Sequence, residues 1–138
     1  MKKTLLLAIT LLTFLAGNTQ VLKWSPAFIQ ETSATISISA NTSAGNKGLA
    51  DHLPATDVYV HIGAITNLSS NAADWKYVKF TWATTVGAAN APASGNNEWT
   101  FTISGGLRNF FGITNSVEKI QKIAILFRSG NGLSLIHI

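Results

Sequence analysis

Short runs along the chain alternate between apolar and polar residues. In the run 34–40, Ile36 and Ile38 point to one side of an extended chain, and the hydroxyl residues point to the other. Successive side chains of a strand lie on opposite faces, so this run predicts a half-buried strand. The same pattern predicts further strands at 57–62, 77–82, 98–103 and 122–128.

The predicted strands carry aromatic and branched residues on their apolar faces, and these residues are expected to be buried together. The run 122–128 is apolar on both faces, which predicts a central strand. The runs 21–24 and 27–29 are weaker candidates for an edge strand, and 107–113 predicts one short helical turn. The residues expected in the core include Val78, Phe80, Trp82, Trp99, Phe101 and Phe127.

Loops rich in Gly, Ala, Asn, Ser and Thr separate the strands, at 41–56, 64–74 and 83–97. No segment shows a sustained 3.6-residue period. Several short strands at this spacing predict an all-β fold, an antiparallel Ig-like β-sandwich, and a small barrel is the alternative.

The N-terminus has the pattern of a secretory signal peptide, residues 1–19. Lys2 and Lys3 precede an apolar stretch at 5–16, which is too short to cross a hydrocarbon core of ~30 Å. We expect cleavage between Gly17 and Gln20 and an exported product in the periplasm, at the cell surface or outside the cell. After cleavage no membrane partner is expected. An uncleaved anchor is the alternative.

The C-terminal part of the sequence predicts a β-hairpin. Asn131-Gly132 favours a tight turn after the strand 122–128, so the following residues should fold back. Residues 133–138 are similar to the translation of a transposase sequencing adapter. We therefore expect a non-native tail at 133–138, a truncated module at 20–132 that is incomplete at its C-terminal strand, and a longer parent protein.

Charge and composition exclude several classes of function. Removing Lys2 and Lys3 with the signal lowers the formal net charge of +4 by two, and the other cations are scattered, so no nucleic-acid partner is expected. The absence of cysteine excludes disulfides and thiolate metal sites. His52 and His61 do not suffice for a zinc site, so neither a metal nor a cofactor is predicted.

No motif in the chain predicts catalysis. The six acidic residues lie at strand starts and in loops, and a glycosidase needs two carboxylates across a cleft. The candidate carbohydrate-binding residues are Trp75 and Tyr77, because they open a strand directly after a polar loop. Sugar C–H groups stack on flat aromatic rings. The alternative is that Trp75 has a structural role and fills one end of the sandwich.

Six segments of the chain occur in a recognisable order and spacing: 57–63, 74–79, Trp82, 97–99, 108–113 and 122–132. Together they resemble an N-terminal β-sandwich module of secreted bacterial alpha-amylase-family glycoside hydrolases. The resemblance implies a non-catalytic accessory module that packs on the catalytic domain of the same parent chain and contacts α-glucan. The alternatives are a structural or adhesive Ig-like module of a cell-surface protein with no sugar role, and a fragment that is itself an enzyme.

Overall fold

A computed structural model describes residues 20–132 and 135–136 of the protein. The predicted signal peptide lies outside the described residues, as do 133–134 and 137–138 of the predicted tail. One short helix, α1 (Leu107–Phe111), and a 3-10 turn at Gly87–Ala89 accompany the strands. The strands are β1 (Leu22–Ser25), β2 (Thr35–Asn41), β3 (Val58–Thr66), β4 (Lys76–Lys79), β5 (Ala93–Gly95), β6 (Glu98–Ser104), β7 (Ile120–Ser129) and β8 (Leu135–Ile136).

The strands form two antiparallel sheets. One has the order β1-β2-β6-β5 and the other β4-β3-β7-β8. A single apolar cluster contains the inward residues of both sheets, so the sheets pack face to face as a β-sandwich. This confirms the predicted all-β fold class.

Period-two alternation determines which residues fill the core. Alternate residues of β2 and β3 are buried, which leaves residues such as Tyr59 and His61 on the outer face of β3. Trp99, Phe101 and Phe127 are buried as predicted. Burying a large apolar side chain stabilises the fold by about 1.5–3 kcal/mol, so these residues dominate the stability of the sandwich.

The prediction for the run 77–82 is wrong for two residues. Val78 is 45% exposed and Trp82 is 40% exposed, although both were expected in the core. The reason lies in the backbone, because Tyr77 (φ 52°) and Phe80 (φ 67°) are left-handed. A left-handed residue interrupts the extended geometry on which alternation depends. Phe80 is half-buried and meets Phe101 edge to face, with ring centroids 6.2 Å apart.

Several element boundaries differ from the sequence predictions. The edge strand at 21–24 is confirmed as β1, whereas 27–29 forms no strand. β5 lies within the segment 83–97, which was predicted to be a loop. The helical turn is confirmed as α1, and Gly112 (φ 75°) ends it in the left-handed conformation that glycine adopts without strain.

β7 lies inside its sheet, between β3 and β8, which confirms the prediction of a central strand. The predicted turn is present, since the Gly132 N–H donates to the Ser129 carbonyl at 2.9 Å and Gly132 has a φ of 74°. Beyond this turn, β8 pairs with Phe127 and Arg128 in the part of the chain that the structure describes. Within the described part of the chain, no helix combines the length and apolar character needed to cross a membrane.

Candidate functional site

The outer face of β3 and β7 carries aromatic side chains that the core does not use. Segments on either side of β4 cross this face and bring two tryptophans onto it. The four rings lie in one group, and a buried arginine, Arg128, contacts two of them. We refer to this group as the outer aromatic cluster; its members are Tyr59, His61, Trp75 and Trp82.

His61 is at the centre of the outer aromatic cluster. Its ring stacks against Trp75, with centroids 6.0 Å apart and planes at 28°. It also meets Trp82 edge to face at 5.3 Å. His61 Nδ1 lies 3.0 Å from the Phe80 carbonyl oxygen. A carbonyl only accepts, so Nδ1 carries the proton in this bond and holds the imidazole in one orientation.

Arg128 packs against two rings of the outer aromatic cluster. Its guanidinium carbon lies 5.6 Å from the ring centroids of both Tyr59 and Trp82, in cation–π geometry. Nη2 donates to the Thr84 carbonyl at 2.7 Å, and Nη1 donates to the carbonyls of Ser129 and Gly130 at 2.9 and 3.2 Å. Arg128 therefore ties the loop after β4 to the end of β7.

Arg128 is fully buried, and its burial lowers the pKa of the guanidinium from its usual value. Arginine remains protonated even so, because its ordinary pKa lies far above neutral pH. Among the described residues, nothing accepts a hydrogen bond from its Nε. Two aromatic faces and three carbonyls contact this buried charge, and the negative charge of Asp57 also favours the protonated guanidinium.

A glycine in β3 makes room for Trp75. A Cβ on Gly63 would come within 3.2 Å of the Trp75 Cβ, the Lys76 carbonyl and the Val78 side chain. These distances are tighter than ordinary van der Waals contact, so a larger residue would push the covering segment away. Gly63 thus allows the backbone around Trp75 to lie directly on the sheet.

The two predicted carbohydrate-binding residues, Trp75 and Tyr77, contact different groups of residues. Trp75 is half-buried against His61, on the outer face of the sheet. Tyr77 is 37% exposed, and its hydroxyl donates to Glu118 Oε2 at 2.6 Å. Trp75 and Trp82 both contact His61 in the outer aromatic cluster, whereas Tyr77 belongs to a separate polar network.

Glu118 is the centre of that polar network. It is 3% exposed and accepts hydrogen bonds from the hydroxyls of Tyr77, at 2.6 Å, and Thr66, at 2.7 Å. The bond from Tyr77, followed by that from Thr66, lowers the pKa of Glu118 from its ordinary value of 4.5. The same bond to Glu118 raises the pKa of Tyr77. The network joins β3, β4 and the segment before β7.

A second carboxylate near the start of β7 is also structural. Glu31 accepts the Ile120 backbone N–H at 2.6 Å and the Arg108 guanidinium at 3.2 Å. The bond from Ile120 lowers the pKa of Glu31, and Arg108 lowers it further. Arg108 also donates to the Glu118 carbonyl at 2.7 Å. Both carboxylates are thus engaged in holding loops and α1 in place.

Polar groups flank the outer aromatic cluster. Asp74 lies 3.0 Å from the Lys76 ammonium and accepts the Ser70 backbone N–H at 2.9 Å. The bond from Ser70 is the main reason that the pKa of Asp74 is lowered. Thr81 directly precedes Trp82 in sequence and Thr85 follows three residues after it, and both threonines are exposed.

Other reactive residues are dispersed or paired. His52 Nε2 lies 3.1 Å from Asp57 Oδ2, beside a shallow cavity of about 260 Å³ that Asp51 and Asn97 also line. No group of three or more His, Asp or Glu side chains suited to a metal occurs in the described ranges.

Sequence reasoning missed Trp82 as a surface residue because it assumed a regular strand from 77 to 82. The residues after it, Ala83, Thr84 and Thr85, are small or polar and would have favoured a loop at Trp82 itself.

The strand order and the shared core define the protein as an all-β sandwich domain with two antiparallel sheets. No protein-family model matches the chain, and no curated protein matches it.

Proposed function

We propose that this protein is an exported, non-catalytic accessory module of an alpha-amylase-like, polysaccharide-degrading enzyme. In this proposal it packs on the catalytic domain of its parent and contacts α-glucan. The observation that carries the sugar contact is the partly exposed indole of Trp82, which Arg128 and His61 hold in place. The proposal for the parent enzyme rests on the sequence resemblance described above.

The chemistry of the outer aromatic cluster suits a sugar ring. A pyranose has apolar C–H faces and polar edges, so it combines stacking on an aromatic ring with hydrogen bonds at its rim. The exposed part of Trp82 offers the ring, and the exposed Thr81, its neighbour in sequence, offers a hydroxyl. Because Arg128 and His61 already fix the indole, little side-chain entropy is lost on binding.

Trp75 and Tyr77 have secondary roles in this proposal. Trp75 is half-buried and supports His61, so it extends the ring surface and also closes the outer face of β3. The hydroxyl of Tyr77 is occupied by Glu118, which leaves only its ring for a sugar. Both stay candidate contact residues, and Trp82 becomes the residue to test first.

A second candidate function is that of a structural or adhesive Ig-like module with no sugar role. The observation that favours it is that the rings of the outer aromatic cluster already contact one another and Arg128. His61 and Arg128 use the faces of three rings internally, which is also what a second, smaller packing layer would require. In that case the cluster stabilises the loop after β4 and binds nothing.

Affinity electrophoresis separates these two functions. The folded protein is run in native gels with and without soluble starch, and dextran serves as a control glucan of different linkage. We expect retardation by starch for the wild type and its loss in Trp82→Ala. The matched control is Trp24→Ala, because Trp24 is 49% exposed but lies on β1 of the other sheet.

Thermal unfolding of the same samples shows whether each variant is folded, so that a loss of retardation can be assigned to a lost sugar contact. Trp82→Phe keeps an aromatic ring and is expected to retain part of the retardation. No retardation of a folded wild type by starch would reject the sugar contact and leave the structural module. Equal retardation of wild type and Trp82→Ala would place the contact elsewhere on the protein.

A further inference from the structure

A cavity of about 260 Å³ lies between the segment before β3 and the hairpin of β5 and β6. β5 is an edge strand of its sheet, so the cavity is at the margin of the sandwich. Its lining comes from residues 51–55 and 93–99 and contains no member of the outer aromatic cluster among the described residues. The polar side chains that line it are Asp51, His52, Asn96 and Asn97.

Asp51 and Asn97 hold each other in place at this cavity. The Asp51 backbone N–H donates to Asn97 Oδ1 at 2.6 Å, and Asn97 Nδ2 donates to Asp51 Oδ1 at 2.9 Å. Both residues are left-handed, with φ of 54° and 56°, a conformation that Asp and Asn adopt more readily than most residues. The other carboxylate oxygen, Asp51 Oδ2, accepts no hydrogen bond from the residues that the structure describes.

Asp57 fixes the ring of His52 beside the same cavity. His52 Nε2 lies 3.1 Å from Asp57 Oδ2, and a carboxylate only accepts, so Nε2 carries the proton of this bond. In the neutral imidazole Nδ1 is then an acceptor, and it has no partner within the described part of the chain. The cavity therefore has two acceptors, Asp51 Oδ2 and His52 Nδ1, on side chains that other bonds already hold.

The remaining lining is mostly apolar. Leu53, Ala55 and Ala93 contribute to it, and Trp99 Nε1 donates to the Ala55 carbonyl at 2.9 Å, which fixes this wall. Asn96 is exposed at the rim, and its amide can both donate and accept. An apolar wall with a few fixed polar groups is typical of sites for small ligands.

We propose that this cavity binds one neutral hexose unit. Its hydroxyls would donate to Asp51 Oδ2 and His52 Nδ1 and exchange hydrogen bonds with Asn96, while an apolar C–H face packs on the wall. The volume lies below the range of about 300–1,000 Å³ that drug-sized ligands occupy, which fits one ring rather than an oligosaccharide. The inference is independent of the proposed α-glucan contact at Trp82, because it concerns a different surface.

The charges around the cavity favour a neutral ligand. Asp51 is acidic, and no lysine or arginine lines the cavity among the described residues, so an anion such as a phosphate ester would be repelled. A metal ion would need more ligands, and the described ranges contain no group of three His, Asp or Glu side chains suited to one. An amino sugar could pair with Asp51, and the experiment below separates it from a neutral hexose.

A nuclear magnetic resonance titration of the imidazole signals tests the inference. D-glucose, D-galactose and D-mannose are the neutral probes, glucosamine is the cationic probe, and glucose 6-phosphate is the anionic probe. We expect at least one neutral hexose to shift the His52 signal saturably with a millimolar Kd, as is usual for so small a ligand. The shift should be the same in wild type and in Trp82→Ala, which separates this cavity from the outer aromatic cluster.

Two variants remove one acceptor each and keep the surrounding bonds. Asp51→Asn retains the oxygen that accepts from Asn97 but replaces the other with a donor, and it should weaken binding about tenfold or more. His52→Gln, which also identifies the His52 signal, keeps a donor for Asp57 and should weaken binding as well, with the Trp99 indole signal as the reporter. The matched control is Glu98→Gln, because Glu98 belongs to the same hairpin but does not line the cavity, and its Kd should be unchanged.

Four results would overturn the inference. They are the absence of a saturable His52 shift with all three neutral hexoses, equal Kd values for Asp51→Asn and wild type, tighter binding of glucosamine or glucose 6-phosphate than of any neutral hexose, and loss of the His52 shift in Trp82→Ala. A protein that binds a neutral hexose here but is not retarded by starch would support this site and reject only the contact at Trp82.

Discussion

Replacing Arg128 with methionine should destabilise the fold and release Trp82, because this buried guanidinium joins the loop after β4 to β7. The side chain donates to the carbonyls of Thr84, Ser129 and Gly130 and lies against two rings. Methionine keeps most of the apolar volume but removes every one of these donors.

The expected magnitude follows from opposing terms. Hydrogen bonds that involve a charged group contribute roughly 1.5–3 kcal/mol each, and the cation–π contacts add roughly 0.5–2 kcal/mol. Burying the charge costs several kcal/mol, and Nε has no described acceptor to offset it. We expect a net loss of about 3 kcal/mol in the free energy of unfolding, which lowers Tm by roughly 10–20 °C.

Chemical and thermal unfolding, followed by circular dichroism, measure this loss. The matched control is Lys122→Met, which removes an exposed cation from the same strand and should change stability by less than about 0.5 kcal/mol. At a temperature where both variants are folded, only Arg128→Met should also lose retardation by starch. A loss below about 1 kcal/mol for Arg128→Met would refute the role assigned to the guanidinium.

Three further predictions concern the core, the polar network and export. Trp99→Ala should lower stability by ~3–5 kcal/mol, since the indole is buried and donates to the Ala55 carbonyl; unchanged thermal unfolding would contradict its position. Glu118 has a lowered pKa, so its stabilisation is present above pH 4.5 and is lost as pH falls through the lower folded value. Glu118→Gln should therefore flatten the acid side of a stability–pH profile, and a profile identical to wild type would argue against this network. N-terminal sequencing of exported protein should begin between residues 18 and 20, and an intact Met1 on secreted material would exclude cleavage.

The sequence predicts the strands of this sandwich where alternation is regular. β2 and β6 pair over seven residues with one face buried, so the period of two is preserved and the buried residues follow from it. β4 departs from the pattern because the left-handed residues Tyr77 and Phe80 interrupt it. β5 has three exposed residues and no apolar pattern, so nothing in its sequence separates it from a loop.

The contacts of the candidate site join residues that are far apart in sequence, so no local sequence pattern predicts them. Tyr77 and Glu118 are 41 residues apart in sequence, and only the fold brings them within hydrogen-bonding distance. Arg128 is charged and lies near the end of a strand, where exposure would be expected, yet it is fully buried and contacts Trp82 and Thr84 of the loop after β4. The aromatic residue types could be noted in advance, whereas their grouping around His61 required the path of that loop.

We propose that the outer aromatic cluster contacts α-glucan through Trp82. A nuclear magnetic resonance titration with maltoheptaose tests it directly, because the chain has four tryptophans and hence four indole N–H signals, with Trp82→Phe identifying one of them. We predict a saturable shift of the Trp82 signal and no shift of the Trp24 signal. Four unchanged indole signals at millimolar sugar, or a shift confined to Trp24, would contradict it.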